Sequence, residues 1–253
     1  MKDTANEFKL KNRNNNGNTP ILNYWGANSE YGVLKDVLLG PVENYRWLKT
    51  SSVSKKTLRR NIEFKPDVAK KQYQEMVSAY TSAGVKVHIL QIDPKLPYQI
   101  FARDSSIMTP FGAIITNMAQ WWRKGENFRA IETYNKLGIP IYDFITAGHF
   151  EGGDFNVIEP GCVLIGWEGE EGRSHFSAAQ QLKEWFEDED WEVFIADIDP
   201  YYVHIDLMVV MLAEKLAAVC IECTDPKIVT WLKNKKIKII PVPFQETIEL
   251  GCN

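Results

Sequence analysis

The chain has 253 residues, of which 45% are hydrophobic and 25% are charged, as is typical of a globular protein large enough for a sizeable core. Its formal net charge is −4 and it has no basic block, which argues against a nucleic-acid partner. No apolar run has the length of a membrane span, and the N-terminus has no apolar signal core. We therefore expect no membrane association and a cytoplasmic location. In that reducing compartment the four cysteines are expected to be free thiols.

The predicted organisation is a short arm followed by one domain. Residues 1–19 are polar and rich in asparagine, so we expect a flexible N-terminal arm. Residues 20–253 form the domain, which is predicted to open on a strand over 33–40. Helices and single strands then alternate with apolar hairpins. Four helices are expected: over 67–83, over 128–137 with an end at Gly138, after a Ser174 cap, and from Asp225-Pro226 through Leu232. A strand is expected after each helix, over 85–90, 139–144, 192–198 and 237–242.

One pattern recurs about every fifty residues. A short charged motif opens an apolar strand, and a turn, a second apolar strand, an amphipathic helix and a further strand follow. The acidic residues of the three copies, Asp104, Asp154 and Asp206, are separated by 50 and 52 positions. Repeats of this length indicate a ring-like or stacked architecture. A ring of such β-β-α-β units brings all the charged motifs to one central spot.

Four motifs occupy equivalent positions in these repeats: FARD at 101–104, FEGGD at 150–154, HID at 204–206 and GC at 251–252. A cysteine and a histidine can form a nucleophile and an acid/base pair. Carboxylates around them suit a cation, because a planar guanidinium presents N–H donors that carboxylates accept in pairs. That positive charge also lowers the pKa of a nearby thiol and favours the thiolate.

These four motifs, in this order, resemble those of the guanidino-group-modifying superfamily. It includes arginine deiminase, agmatine deiminase, dimethylarginine dimethylaminohydrolase and the amidinotransferases. The resemblance covers about residues 22–252 and extends to the opening stretch NSEYGVLKDVLLG. It implies an α/β fold, the five-bladed pseudo-symmetric αβ-propeller called the pentein fold, with ββαβ-type repeats around a central active site. Residues 20–253 are then a single catalytic domain.

The resemblance also implies a role for each matching residue. Cys252 matches the nucleophile that attacks the guanidinium carbon, and His204 matches the general acid that later activates water. Glu151 matches the carboxylate that orients the guanidinium. Asp104 and Asp206 match the pair that binds its nitrogens.

Three further residues are predicted to contact substrate. Arg173, in IGWEGEEGRS, resembles the family arginine that holds a substrate carboxylate, and Arg123, in WWRKGE, resembles a second arginine on that side. Asp154 is assigned to the substrate site as well, with a structural role in closing the turn after Gly152-Gly153 as the alternative.

The predicted activity is cysteine-dependent hydrolysis of a guanidino compound, arginine or a close derivative. A covalent S-alkylthiouronium intermediate forms, ammonia or an amine leaves, and a ureido product results. The first alternative is transfer of the amidino group from arginine to an acceptor amine, and the second is a non-catalytic binding protein with the same fold. The resemblance implies a small guanidino substrate as partner and neither a metal nor an organic cofactor. Related enzymes often dimerise, so a homodimer is an open alternative.

Overall fold

Eleven strands and five helices make up the described part of the chain, which in this computed structural model comprises residues 11–49, 55, 58, 59, 63–169 and 171–248. The strands are β1 (Asp36–Leu39), β2 (Lys86–Ile89), β3 (Ser106–Thr109), β4 (Gly112–Ile115), β5 (Ile141–Phe144), β6 (Phe155–Glu159), β7 (Cys162–Trp167), β8 (Glu192–Asp197), β9 (Val209–Ala213), β10 (Leu216–Val219) and β11 (Lys238–Pro241). The helices are α1 (Pro66–Ser82), α2 (Glu126–Leu137), α3 (Phe176–Asp188), α4 (Pro226–Asn234) and α5 (Phe244–Ile248).

The described strands form four sheets, and three of these share one topology. An antiparallel hairpin is followed by a helix and by a third strand, which pairs in parallel with the second strand of the hairpin. The three sheets are β3-β4-β5, β6-β7-β8 and β9-β10-β11, and the parallel pair β1-β2 forms the fourth. The predicted β-β-α-β repeat is thus confirmed as an α/β fold.

Helix ends follow the local signals in the sequence, with one exception. Gly138 takes the left-handed conformation, φ 68°, directly after α2. Asp225 caps α4 by accepting a hydrogen bond of 2.8 Å from the backbone N–H of Lys227. The prediction that Ser174 caps α3 was wrong, because His175 holds that position and the Ser174 hydroxyl donates to Asp154.

Each hairpin is preceded by a short 3₁₀ turn that carries a charged motif. The three turns are Ala102–Ser105, Gly152–Asp154 and Ile205–Leu207. The second turn contacts both the first and the third. The start of the first strand in each three-stranded sheet therefore faces a common centre, where the motif side chains converge.

Two large apolar clusters lie between neighbouring sheets and fix their spacing. One includes Tyr142, Phe155 and Phe186, and the other includes Leu164 and Ile228. All five side chains are at most 3% exposed. Burying one such side chain contributes about 1.5–3 kcal/mol, so these clusters hold the sheets that carry the three turns.

The second half of the predicted arm contacts the body of the protein. Arg13 Nη1 lies 2.6 Å from Asp143 Oδ2, and its guanidinium lies 4.9 Å from the ring centroid of Trp185. Thr19 is buried and donates its backbone N–H to Glu189. Residues 1–10 lie outside the described residues, so the division at residue 19 stays a prediction.

Among the described residues, no helix is both long enough and apolar enough to cross a bilayer. The cytoplasmic location stays a prediction.

Candidate active site

Side chains from the three turns meet at one buried point. Asp104 lies in the first turn, Glu151 directly precedes the second, and His204 directly precedes the third. One nitrogen or oxygen atom from each of these side chains lies within 4.8 Å of the other two. Their exposed fractions are 7%, 0% and 7%. The expected convergence is therefore confirmed for FARD, FEGGD and HID, whereas GC at 251–252 lies outside the described residues.

Glu151 is the centre of the cluster. Its Oε2 lies 3.1 Å from His204 Nε2, 3.1 Å from Arg173 Nη1 and 3.6 Å from Arg123 Nη1. Burial by itself disfavours the carboxylate, but the hydrogen bond with His204 and the two arginine charges outweigh it and lower the pKa of Glu151 to about 2. Glu151 is therefore ionised at neutral pH.

His204 is held as an imidazolium by the acids around it. Burial disfavours its charged form, but Asp104, Asp154 and the hydrogen bond to Glu151 outweigh burial and raise the pKa of His204 to about 10. Its Nδ1 lies 3.8 Å from Asp104 Oδ1. A buried imidazolium between carboxylates can donate a proton to a leaving group.

Asp154 holds the second turn to two other segments. Its Oδ1 accepts the backbone N–H of Ile205 at 2.9 Å, and its Oδ2 accepts the Ser174 hydroxyl at 2.5 Å. Burial raises the pKa of Asp154 to about 6. Because both oxygens are engaged by the chain, this geometry favours the structural role over the substrate-binding role.

Arg123 is buried beside the cluster, where it has three hydrogen-bond partners in addition to its longer contact with Glu151. Its Nη1 lies 2.7 Å from Asp104 Oδ2, and its Nε and Nη2 form a forked pair with Glu126. Its Nη2 also donates to the Phe101 carbonyl at 3.2 Å. The structure thus places Arg123 beside the acids, while its predicted role in binding a substrate carboxylate stays a prediction.

Arg173 reaches the same centre from the loop between β7 and α3. Its side chain is 17% exposed, and its Nη1 pairs with Glu151 at 3.1 Å. Its backbone N–H donates to Glu168 Oε2 at 2.6 Å, which folds the loop back on itself. Burial, followed by the nearby charge of Asp154, raises the pKa of Glu168 to about 8.

Asp206 lies at the edge of the cluster and pairs with Arg103. Arg103 Nε lies 2.8 Å from Asp206 Oδ2, and its Nη2 lies 3.2 Å from Glu30. The same Nη2 donates to the Phe155 carbonyl at 3.1 Å. This pair links the first turn to the third.

The two glycines of FEGGD let the turns approach closely. A Cβ on Gly153 would lie 2.5 Å from His204 Nδ1, and a Cβ on Gly152 would lie 2.1 Å from the Arg103 carbonyl oxygen. No side chain fits at either position without moving its neighbour.

Two carboxylate oxygens, one at the centre of the cluster and one at its edge, are left for a further donor. Glu151 Oε1 and Asp206 Oδ1 are buried and accept no hydrogen bond from the described residues. A buried acceptor without a partner is costly, so such oxygens in a cluster mark the place of a donor group. A cation with several N–H groups fits this requirement.

Asp104, Glu151 and His204 form the one triad of metal-ligand type found among the described residues. Glu151 Oε2 already has cationic nitrogens of His204 and Arg173 at 3.1 Å, and Arg123 lies 2.7 Å from Asp104. These charges disfavour a divalent cation at the same oxygens. The predicted absence of a metal stays a prediction.

The described cysteines lie away from this centre. Cys162 and Cys220 are buried free thiols; Cys162 belongs to an apolar cluster and Cys223 packs against it. The predicted nucleophile Cys252 lies outside the described residues. Its role as the nucleophile stays a prediction.

Sequence reasoning missed three charged residues that shape the site: Arg103, Glu126 and Glu168. Arg103 was visible within FARD, next to Asp104. Glu126 follows Arg123 by three positions, the spacing at which helical side chains meet, and Glu168 opens the loop to Arg173. The signals were present, but only the structure shows that Glu126 and Glu168 are buried and that the half-exposed Arg103 pairs with Asp206.

The chain matches the family model described as "N,N dimethylarginine dimethylhydrolase, eukaryotic" over residues 49–253. A relative from Bacillus subtilis, the uncharacterized protein YkgA, is 26% identical over 226 residues, which are 89% of this chain and 76% of the relative.

Solved structures of two related proteins share the fold. The dimethylarginine dimethylaminohydrolase of Pseudomonas aeruginosa, complexed with citrulline, aligns with a TM-score of 0.68 at 18% identity, over 85% of this chain and 78% of its own. The N-terminal domain of ArgZ, a cyanobacterial arginine dihydrolase bound to product, aligns with a TM-score of 0.71 at 17% identity, over 87% and 79%. With its buried acid and imidazole cluster, the chain belongs to the dimethylarginine dimethylaminohydrolase family of the guanidino-group-modifying superfamily.

Proposed function

We propose that this protein hydrolyses the guanidino group of arginine or a methylated arginine and releases ammonia or a methylamine. The observation that carries the proposal is the buried cluster of acids around His204, in which Glu151 Oε1 and Asp206 Oδ1 accept nothing from the described residues. Membership of the family supports the same reaction class.

The acids offer a guanidinium its acceptors. Glu151 is the central acceptor, since it is fully buried and ionised at neutral pH. Asp104 and Asp206 flank it from the first and third turns. Holding the guanidinium between them fixes the orientation of its carbon, which accounts for a large part of the rate gain in such reactions.

Cys252 is the proposed nucleophile. Its thiolate forms a C–S bond to the guanidinium carbon, and one C–N bond of the tetrahedral adduct then breaks. His204 gives its proton to the departing nitrogen, so ammonia or an amine leaves and an S-alkylthiouronium remains.

Water completes the reaction. The now neutral His204 takes a proton from water as the oxygen attacks the same carbon. The C–S bond breaks, the thiolate returns, and the second proton of the water passes to the solvent, where the released ammonia or amine takes it up, so that the product carries a neutral ureido group. The raised pKa of His204, about 10, suits the first step because the imidazolium is present at neutral pH.

Arg173 is the proposed anchor for the substrate carboxylate. It is the more exposed of the two arginines at Glu151, 17% against 2% for Arg123. When the substrate guanidinium takes its place on Glu151, Arg173 turns to the carboxylate at the far end.

We also propose that the fold is the five-bladed ring. Among the described residues, β1 and β2 pair only with each other, whereas every other sheet has three strands. The four sheets of the described residues would be four of its blades. The homodimer likewise stays a prediction.

The test is release of ammonia and methylamines from L-arginine, dimethylarginine and agmatine by the complete natural protein, beside Cys252→Ser and Glu132→Gln. Glu132 is a half-exposed residue on α2 and serves as the control. Product formation by the wild type and Glu132→Gln, abolished in Cys252→Ser, supports the proposal. Transfer of the amidino group to an added amine, with no hydrolysis, would replace it by the amidinotransferase alternative.

A mechanism-based thiol label identifies the nucleophile independently. The protein is incubated with a haloacetamidine, and the modified peptide is located by mass spectrometry. Modification of Cys252, prevented by excess substrate, supports its assignment. Protected modification of another cysteine would overturn that assignment and leave the reaction class intact.

A further inference from the structure

Glu126 is a buried acid with no part in the reaction steps above. It is 1% exposed and opens α2. Its carboxylate grips Arg123 through two parallel contacts, Nε to Oε1 at 3.0 Å and Nη2 to Oε2 at 2.7 Å. A forked pair of this kind fixes the plane of the guanidinium as well as its position.

The pair with Glu126 fixes the direction in which the other N–H groups of Arg123 point. Its Nε is held by Glu126, and its Nη2 by Glu126 and the Phe101 carbonyl. Only Nη1 faces the cluster, at 2.7 Å from Asp104 Oδ2 and 3.6 Å from Glu151 Oε2. Arg123 therefore touches Asp104 and stops short of a full pair with Glu151.

If Glu126 did not hold Arg123 in place, the Arg123 guanidinium would compete with the substrate for Glu151. Two N–H groups of Arg123 could then form the forked pair with Glu151 that a substrate guanidinium requires. A substrate would have to displace a side chain whose effective concentration at the site is high.

We propose that Glu126 is a positioning residue that holds Arg123 to one 3.6 Å contact with Glu151 and so prevents a forked Arg123–Glu151 pair from excluding the substrate guanidinium. The inference rests on the proposed function only in requiring a guanidinium ligand at Glu151. It does not depend on which bond is broken.

The chain contains a matched control for this contact. Arg123 and Glu126 are three positions apart, and so are Arg129 and Glu132 on the same helix. Arg129 and Glu132 also form an ion pair, at 2.8 Å, but Glu132 is 47% exposed and this pair lies outside the cluster. Loss of that pair is expected to leave the site unchanged.

The experiment measures binding of methylguanidine, which has the cationic group and no carboxylate. Calorimetric titration is run on the complete protein, on Glu126→Gln, on Glu132→Gln and on the double variant Arg123→Gln/Glu126→Gln. We expect Glu126→Gln to bind about tenfold more weakly or worse, and Glu132→Gln to match the wild type. The double variant lacks Arg123 as a competitor, and Arg173 is the same in all four proteins, so its binding is expected to return to within about threefold of the wild type.

A neutral probe separates positioning from simple loss of charge. Methylurea has the shape of methylguanidine without its charge, and its binding is followed by ligand-observed NMR. If Arg123 moves onto Glu151, the Glu126→Gln variant is expected to bind methylurea more weakly as well. Weakened methylguanidine binding with unchanged methylurea binding would overturn the proposal in favour of a charge effect.

The remaining outcomes are also decisive. A folded Glu126→Gln that binds both probes like the wild type overturns the proposal. If Glu126→Gln does not fold, the double variant carries the test, because it replaces the buried ion pair by two amides, and tenfold weaker binding there contradicts the proposal. Methylguanidine binding by a wild type that hydrolyses none of L-arginine, dimethylarginine and agmatine would contradict the proposed function and leave this inference standing. No methylguanidine binding by the wild type would overturn this inference.

Discussion

Glu151 Oε2 and His204 Nε2 lie 3.1 Å apart at the buried centre of the fold, although 53 positions separate them in the sequence. Each group favours the charged form of the other. Together with Arg173 and Arg123, His204 lowers the pKa of Glu151 to about 2, and Asp104, Asp154 and Glu151 raise that of His204 to about 10. The pair therefore supplies an acceptor for a cation and a proton donor side by side.

Replacing His204 should remove the chemical step and retain binding. We expect His204→Asn to lower kcat about 10²–10⁴-fold, the usual contribution of a general acid, with little change in KM. Steady-state kinetics of product release measures both. His88→Gln is the control, since His88 is also half of an imidazole–carboxylate pair, at 2.8 Å from Asp36 on β1. Equal losses in the two variants would contradict a catalytic role.

Gly153→Ala should damage activity through His204. The new Cβ would lie 2.5 Å from the His204 ring, and a displacement of about 1 Å at a catalytic group costs about 100-fold in rate. The strain is also expected to cost about 1–3 kcal/mol of stability. The control is Gly161→Ala, at φ +84° with no atom within 4 Å of a new Cβ, which should lower Tm and leave kcat unchanged. Kinetics and thermal melts of both variants check this.

Glu168 should make stability depend on pH. In the folded protein the pKa of Glu168 is about 8, above the ordinary 4.5, so folding favours the protonated carboxyl. The contribution of Glu168 to the free energy of unfolding is therefore complete below about pH 4.5 and is lost as the pH rises through 8. Glu168→Gln does not titrate. The Tm of the variant minus that of the wild type is expected to rise by about 5 °C between pH 5 and pH 9.

Melts of Glu171→Gln provide the control for that series, because Glu171 is exposed on the same loop. Its Tm difference from the wild type should stay flat over this pH range. A flat difference for Glu168→Gln as well would contradict the raised pKa.

Arg173→Ala should separate substrates with and without a carboxylate. We expect KM for arginine to rise about 10–100-fold, the worth of a charge-assisted pair. KM for agmatine, which has no carboxylate, should stay the same or fall, because Arg173 no longer competes for Glu151. Arg129→Ala is the surface control. A rise in KM for agmatine equal to that for arginine would contradict the assignment.

Local order was readable from the sequence because local residues set it. The helices over 66–82, 126–137, 176–188 and 226–234 lie within a few residues of their predicted ranges. Apolar spacing and the Gly138 and Asp225 signals depend on neighbours a few positions away. Ser174 was misread for the opposite reason, since its partner Asp154 lies 20 positions away.

Residue patterns along the chain were enough to predict the repeating β-β-α-β unit, the charged motif at the start of each hairpin and the family these motifs resemble. How the charges pair could be learned only from the packed sheets. In the folded protein Glu126 pairs with Arg123, and both oxygens of Asp154 accept hydrogen bonds, whereas Glu151 Oε1 has no donor among the described residues. The physical reason is that an acid's charge and partners depend on burial and on side chains from other turns, which meet only when the sheets pack together.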